Sequence, residues 1–118
     1  MRRAGRPAPG EPLCRLDELS PDLGVKRFLW LEADGPHRVF LLRRGDEVLG
    51  WHNECPHHGV ALEDPSGELL SDDRTLFECS FHGARFRLDD GLCVAGPCLG
   101  RALRRFPVAM ERGEVRAA

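Results

Sequence analysis

Two cysteines and two histidines, held in two short segments, are the part of this chain best suited to bind a metal. Cys55 and His57 lie two positions apart, and Cys79 and His82 lie three positions apart. Residues 58–78, 21 in all, separate the two pairs. Two thiolates and two imidazoles suit either a tetrahedral zinc ion or a [2Fe–2S] cluster with two Cys on one iron and two His on the other.

Glycines beside the histidines favour the cluster over the zinc ion. Gly59 follows His58, and Gly83 follows His82 directly. A compact inorganic cluster needs backbone close to its sulfides, and glycine, which has no Cβ, permits that approach. A structural zinc module that binds partners remains the alternative.

The two segments resemble the two cluster-binding boxes of the Rieske family, whose usual patterns are Cys-x-His-x-Gly and Cys-x-x-His-Gly. Residues 55–59 (box 1) read Cys-Pro-His-His-Gly, and residues 79–83 (box 2) read Cys-Ser-Phe-His-Gly. The resemblance is to single-domain Rieske ferredoxins and covers about residues 13–115. It implies one [2Fe–2S] cluster per chain, bound by Cys55, His57, Cys79 and His82.

The resemblance also implies an all-β fold of stacked antiparallel sheets with a small cluster-binding subdomain, here about residues 53–88. The Rieske domain is expected over 13–118, behind a disordered leader at 1–12. Residues 95–97, Ala-Gly-Pro, resemble the proline-containing loop that covers the cluster. The boxes are further apart than is usual in the family, and the extra length is expected as a surface loop at 64–73.

Apolar runs between turn-forming residues predict many short antiparallel strands, a pattern typical of a sandwich or small barrel. One helical turn is conceivable near residues 16–19. The predicted strands cover residues 13–16, 25–31, 38–42, 47–52, 76–78, 85–88, 106–111 and 114–116.

Four positions around the boxes indicate a low reduction potential. High-potential Rieske proteins have two further cysteines joined as a disulfide, and the matching positions here are Val60 and Phe81. They also use a Ser and a Tyr to hydrogen-bond the cluster sulfurs, and the matching positions are Ala84 and Phe86. Fewer donors disfavour the extra electron. The pattern resembles the low-potential ferredoxins that serve dioxygenases.

The resemblance therefore implies a one-electron carrier rather than an enzyme. Its expected partners are a flavin-dependent reductase and a terminal oxidoreductase such as a ring-hydroxylating oxygenase. Docking is expected at the tip formed by His57, His58, His82 and residues 96–97. A cluster-bearing accessory subunit of a larger redox enzyme is the alternative.

Composition excludes other classes of function. The chain has 118 residues, enough for one core, and a formal net charge of −2, which gives no basic field for nucleic acid. No run approaches the roughly 20 apolar residues of a membrane span, and residues 1–12 lack the apolar core of a secretory signal. A cytoplasmic protein is expected.

Three cysteines remain outside the boxes: Cys14, Cys93 and Cys98. In a reducing cytoplasm, small buried free thiols are the expected state. Cys93 and Cys98 are close enough in sequence to pair if they are oxidised.

Overall fold

The computed structural model describes residues 5–56 and 59–118, which form three three-stranded antiparallel sheets. The sheet orders are β1-β9-β8, β2-β3-β4 and β5-β6-β7. The one helical segment among the described residues is a 3₁₀ turn, Leu16–Glu18, and it lies where the sequence suggested a helical turn. The predicted all-β fold of antiparallel sheets is thereby confirmed. The strands are β1 (Pro12–Arg15), β2 (Asp22–Glu32), β3 (Gly35–Arg44), β4 (Glu47–His52), β5 (Leu76–Glu78), β6 (Arg85–Arg87), β7 (Cys93–Ala95), β8 (Val108–Glu111) and β9 (Glu114–Ala117).

The strands divide between two compact units. The first unit holds residues 5–52 and 105–118 and contains the sheets built from β1–β4, β8 and β9. The second unit holds residues 53–104, with both boxes and the sheet β5-β6-β7. Of the predicted ligands, the three that the structure describes, Cys55, Cys79 and His82, lie in the second unit.

The core of the first unit depends on its central strand, β3. Residues 39–42, Val-Phe-Leu-Leu, are all fully buried. A continuous apolar run buried on both faces is what a strand between two neighbours requires. The core cluster around this sheet includes Cys14, Leu19, Leu41, Val48 and Val115.

The end of β4, which leads into box 1, is fixed within the first unit. A Cβ at Gly50 would lie 2.4 Å from the Phe106 carbonyl oxygen, so only glycine permits this approach. The Phe106 N–H donates to the Gly50 carbonyl at 2.9 Å. The Arg105 guanidinium lies 4.4 Å from the centre of the buried Trp51 ring, a cation–π contact.

Part of the predicted leader, residues 1–4, lies outside the described residues. Within the described part, the Gly10 N–H donates to the Ala117 carbonyl at 2.7 Å. Arg6 forms an ion pair with Glu32 at 3.0 Å. The leader over 1–12 stays a prediction.

The connector between the boxes differs from the predicted surface loop. Leu69, Leu70 and Ser71 are buried. The Glu78 N–H donates to the Leu69 carbonyl at 2.9 Å, and the Ser71 N–H donates to the Leu76 carbonyl at 2.8 Å. The prediction was wrong for residues 69–71, because these residues pair alongside β5 instead of facing solvent.

Two strands, β4 and β5, have the bounds that the sequence predicted. Strand β7, Cys93–Ala95, was not predicted, because three residues between two turn segments give no alternating pattern. Among the described residues, no helix is long and apolar enough to cross a membrane.

Candidate metal centre

Box 1 is closed by two backbone hydrogen bonds. The Cys55 N–H donates to the Val60 carbonyl at 2.7 Å, and the Gly59 N–H donates back to the Cys55 carbonyl at 2.7 Å. Gly59 has φ +71°, a left-handed conformation that costs other residues about 1–2 kcal/mol. The glycine therefore makes the tight return of the box possible.

Box 2 has the same frame. The Cys79 N–H donates to the Ala84 carbonyl at 2.8 Å, and the Gly83 N–H donates to the Cys79 carbonyl at 2.9 Å. Gly83 has φ +68°. In both boxes, the cysteine bonds to the residue five positions later, and the glycine lies at the fifth position.

The two box cysteines lie together in the interior of the second unit. Both side chains are fully buried, and their thiols are hydrogen-bond partners. Burial raises the pKa of Cys79, and the neighbouring Cys55 raises it further. The backbone N–H groups of Phe81 and His82 point at the Cys79 sulfur and oppose this shift in the pKa. Such donors favour the thiolate, the form that binds a metal.

The structure describes one of the two predicted imidazole ligands, His82. His82 is exposed, and its ring lies 6.1 Å from the ring of Phe81, which is also exposed. His57, like His58, lies outside the described residues. Box 2 thus joins a buried sulfur to an imidazole that reaches solvent.

The donor set fits a two-iron cluster better than a single zinc ion. A tetrahedral zinc ion needs all four donors around one atom. Here the Cys55 and Cys79 thiols are adjacent in the interior, whereas His82 is exposed. A cluster with Cys on one iron and His on the other separates the two kinds of donor in this way.

An asparagine before box 1, which the sequence did not single out, ties the start of the box to the segment that follows it. Asn53 is buried, and its Oδ1 accepts the Leu62 N–H at 2.8 Å while its Nδ2 donates to Glu63 at 2.7 Å. The Leu62 carbonyl then accepts the Ser80 N–H of box 2 at 3.0 Å. The only signal in the sequence was a polar residue two positions before a box.

The loop after β7 contacts both boxes. Gly96 has φ +96°, and a Cβ there would lie 2.7 Å from the Ala84 Cα next to box 2. Arg101 Nη1 donates to the Pro56 carbonyl of box 1 at 3.2 Å. The loop that the sequence compared to the family's proline loop therefore packs on the box frame itself.

A second pair of thiols lies beside the first, with Cys93 at the start of β7 and Cys98 in the loop that follows. The sulfurs of Cys93 and Cys98 are 3.2 Å apart, and both side chains are buried free thiols. Burial, then the neighbouring Cys93 and Cys55, raises the pKa of Cys98 to about 12. Sequence reasoning found the possible pair but not its contact with Cys55, because no local pattern connects positions 55 and 98.

Charge is unevenly distributed along the chain. Residues 53–104 contain nine acidic residues and five arginines. Two of these arginines are paired locally, Arg85 with Glu78 at 3.0 Å and Arg87 with Asp90. The unit that contains the boxes is therefore acidic.

Comparison with known proteins gives the class. The chain belongs to the Rieske family: the model of the Rieske [2Fe-2S] domain matches residues 12–107. Its cofactor is accordingly a [2Fe–2S] cluster, which supplies one-electron chemistry when bound.

The particular relatives are ferredoxins. Ferredoxin CarAc of Metapseudomonas resinovorans is 29% identical over 106 residues, 90% of each chain. The structure of the ferredoxin of carbazole 1,9a-dioxygenase from Nocardioides aromaticivorans IC177 matches with a TM-score of 0.70 and 26% identity, covering 94% of this chain and 98% of that one. A complex of reduced oxygenase and oxidised ferredoxin in carbazole 1,9a-dioxygenase matches with a TM-score of 0.67 and 25% identity, over 91% of this chain and 90% of that one.

A longer protein contains a similar segment. The terminal oxygenase component CarAa of carbazole 1,9a-dioxygenase from Sphingomonas sp. is 31% identical over 83 residues, which is 64% of this chain. The chain spans only 21% of that protein's length, against 90% of the ferredoxin. The predictions of a Rieske ferredoxin fold and of an electron carrier rather than an enzyme are confirmed.

Proposed function

We propose that this chain carries single electrons from a reductase to the terminal oxygenase of a ring-hydroxylating system. The observation that carries the proposal is the pairing of buried sulfurs with an exposed imidazole in one box frame. Cys79 is fully buried, whereas His82, three positions later, is exposed. Oxygenase and ferredoxin form a complex in carbazole 1,9a-dioxygenase, which supports an oxygenase of that kind as the acceptor.

Four side chains hold the cluster in this proposal. Cys55 and Cys79 bind one iron, since their thiols are adjacent in the interior. His57 and His82 bind the other iron, and the outer face of the His82 ring gives electrons a short path to a partner. Burial raises the pKa of Cys79, and the backbone N–H groups of Phe81 and His82 oppose that rise, which favours the thiolate that binds iron.

The electron donor in this proposal is a flavin-dependent reductase, and the place of action is the cytoplasm. A carrier without a substrate site needs a separate donor, and a flavin converts two-electron reductants into single-electron transfers.

The ligand assignment is tested by electron paramagnetic resonance of the reduced protein. His82→Ala should abolish the rhombic signal of the cluster. His37→Ala is the matched control, because His37 lies in the other unit beside Glu32, at 2.7 Å, and should leave the signal unchanged. An unchanged signal in His82→Ala would refute the assignment.

Electron delivery is tested separately. The reduced protein is mixed in a stopped-flow instrument with an oxidised oxygenase of the carbazole 1,9a-dioxygenase type, and both chromophores are followed. Transfer that saturates with oxygenase concentration supports the proposal. Transfer no faster than to an unrelated oxidised [2Fe–2S] protein contradicts it.

A cluster-bearing accessory subunit is the second candidate. The similar segment inside a terminal oxygenase component favours it, since there the same domain is part of a larger protein. Size-exclusion chromatography of extracts from the native cell distinguishes the two. A carrier elutes mainly alone, because its complexes must dissociate after each transfer, whereas a subunit elutes with its enzyme.

A further inference from the structure

Cys93 and Cys98 form a dithiol that the electron-transfer function does not use. Their sulfurs are 3.2 Å apart, and both are at most 3% exposed. A disulfide has an S–S distance of about 2.05 Å, so bond formation needs an approach of little more than 1 Å.

The backbone holds this pair in register. The Cys93 N–H donates to the Arg101 carbonyl at 2.7 Å, and the Gly100 N–H donates to the Cys93 carbonyl at 3.2 Å. The Leu99 N–H donates to the Gly96 carbonyl at 3.3 Å, which closes a turn around Cys98. These backbone hydrogen bonds hold the two cysteines next to each other, so the contact between their thiols does not depend on the side-chain rotamers alone.

The pair also contacts the cluster frame. Cys98 is a hydrogen-bond neighbour of Cys55 in box 1. Two residues before Cys98, Gly96 packs directly on Ala84 at the end of box 2. A change in the bonding of Cys93 and Cys98 can therefore affect box 1 through Cys55 and box 2 through Gly96 and Ala84.

We propose that Cys93 and Cys98 are a reversible redox site, oxidised to a disulfide by a small peroxide such as hydrogen peroxide. Because both sulfurs are buried, a small uncharged oxidant is the chemistry that can reach them. Either sulfur can be attacked first, since the two thiols form one buried contact of 3.2 Å.

The oxidation balances in two steps. One of the two sulfurs attacks the peroxide, the O–O bond breaks, and a sulfenic acid and one water form. The other thiol then attacks the sulfenic sulfur, the S–S bond forms, and a second water leaves. One peroxide thus oxidises two thiols, and a dithiol reductant reverses the reaction.

Oxidation replaces the polar Cys98 thiol, a neighbour of Cys55, with a disulfide that has no S–H. A polar S–H close to a ligand sulfur favours the more negative, reduced cluster, so its loss should shift the midpoint potential to more negative values. The disulfide would thereby couple peroxide exposure to the driving force for electron transfer.

The test uses the protein with its cluster, treated with one equivalent of hydrogen peroxide, then denatured in alkylating reagent and mapped by mass spectrometry. The alkylated thiols should fall from five, the number of cysteines in the chain, to three. The peptide linking Cys93 to Cys98 should lose the mass of two hydrogens, and dithiothreitol should restore both thiols.

Two variants make the result specific. Cys98→Ser should keep Cys93 from forming a disulfide, while Cys14→Ala in the other unit should leave the Cys93–Cys98 bond unaffected. The wild-type peptide map decides the question even if a variant folds poorly. Loss of the cluster absorption while Cys93 and Cys98 both remain alkylatable would overturn the proposal, as would a bond between Cys55 and Cys79 instead.

The midpoint potential of the cluster tests this coupling, because oxidation of a thiol pair with a purely structural role would not change it. Voltammetry before and after peroxide should give a negative shift in wild type, reversed by dithiothreitol, and no such shift in Cys98→Ser. Equal potentials for the dithiol and disulfide forms would refute the coupling to the cluster. The outcome does not depend on which oxygenase accepts the electron.

Discussion

Box 1 and box 2 have the same backbone frame but place their histidines differently. Each cysteine bonds to the carbonyl five positions later, and each box has a left-handed glycine at its fifth position. The histidine is the third residue of box 1, His57, and the fourth residue of box 2, His82. The cysteine and the glycine therefore determine the backbone frame of each box, and the histidine can occupy different positions within that frame.

The two boxes also differ in what supports them. Box 1 is held by side chains, through Asn53, which accepts the Leu62 N–H from the segment after the box, and through Arg101 on the Pro56 carbonyl. Box 2 is held by close backbone approach, with Gly96 against Ala84. Box 1 should therefore tolerate small changes by side-chain adjustment, whereas box 2 should not.

The largest expected effect comes from making box 2 imitate box 1. A double variant, Phe81→His with His82→Phe, moves the imidazole from the fourth position to the third. We expect loss of the cluster, because adjacent residues in a turn point in different directions and the frame does not adjust. The measurement is the rhombic signal in electron paramagnetic resonance, together with iron content.

Phe81→Leu is the matched control, since it changes the same exposed side chain and keeps His82. It should retain the cluster. A double variant with wild-type iron content would mean that the two boxes are interchangeable.

The next effect concerns the glycines. Gly96→Ala combines a left-handed backbone with a Cβ 2.7 Å from the Ala84 Cα, and should destabilise the protein by about 3 kcal/mol or more. Gly59→Ala and Gly83→Ala carry only the backbone cost, about 1–2 kcal/mol, because nothing lies within 4 Å of either Cβ. Thermal unfolding followed by circular dichroism should rank them in this order, and a milder Gly96→Ala would contradict the close packing on box 2.

A third effect concerns the reduction potential. Ala84 and Phe86 are fully buried beside box 2 and have no hydroxyl to donate to the cluster. We expect a midpoint potential near the low end of the Rieske range, about −150 mV, and a rise in Ala84→Ser if the hydroxyl reaches a sulfur. Protein-film voltammetry at neutral pH measures both, and a wild-type value above about +150 mV would show the reasoning from missing donors to be wrong.

A smaller effect is expected on docking. His58 in box 1 belongs to the predicted tip, and Phe81 in box 2, 69% exposed, is the neighbour of His82 in that tip. Phe81→Asp or His58→Glu should slow electron transfer about three- to tenfold at low ionic strength while leaving the cluster signal unchanged. Met110→Asp, at an exposed apolar position in the other unit, should have little effect on the stopped-flow rate. If only one of the two variants at the tip slows electron transfer, only the box that contains it binds the partner.

The smallest effect concerns the connector between the boxes. Hydrogen bonds, first from the Ser66 hydroxyl and then from the Glu68 N–H, lower the pKa of Asp64. A lowered pKa in the folded state stabilises the protein above the unfolded value of about 3.9. That stabilisation is lost as the pH falls through the folded value. The melting temperatures of wild type and Asp64→Asn should therefore differ at pH 6 and converge towards pH 3, and a constant difference would contradict this role.

Local patterns predicted much of the fold and of the candidate site. Strands β4 and β5 have the predicted bounds, because each is a short apolar run that ends at a turn or at a box. The burial of residues 69–71 was not predictable from the sequence. Leu69 and Leu70 are two apolar residues in a segment rich in turn formers and polar residues such as Asp72, which is typical of an exposed loop. Strand β7 was missed because its three residues are too few to show a period.

The sequence by itself determined the chemistry of this protein. Spacing of cysteine, histidine and glycine within five residues fixes the box frame and the donor types, because those constraints act through adjacent backbone. Tertiary structure alone decided that Cys98 meets Cys55, that Gly96 packs on Ala84, and that the two box sulfurs are buried together. These contacts join segments separated by more than ten residues, and they depend on how the sheet β5-β6-β7 and its loops pack, which no local pattern encodes.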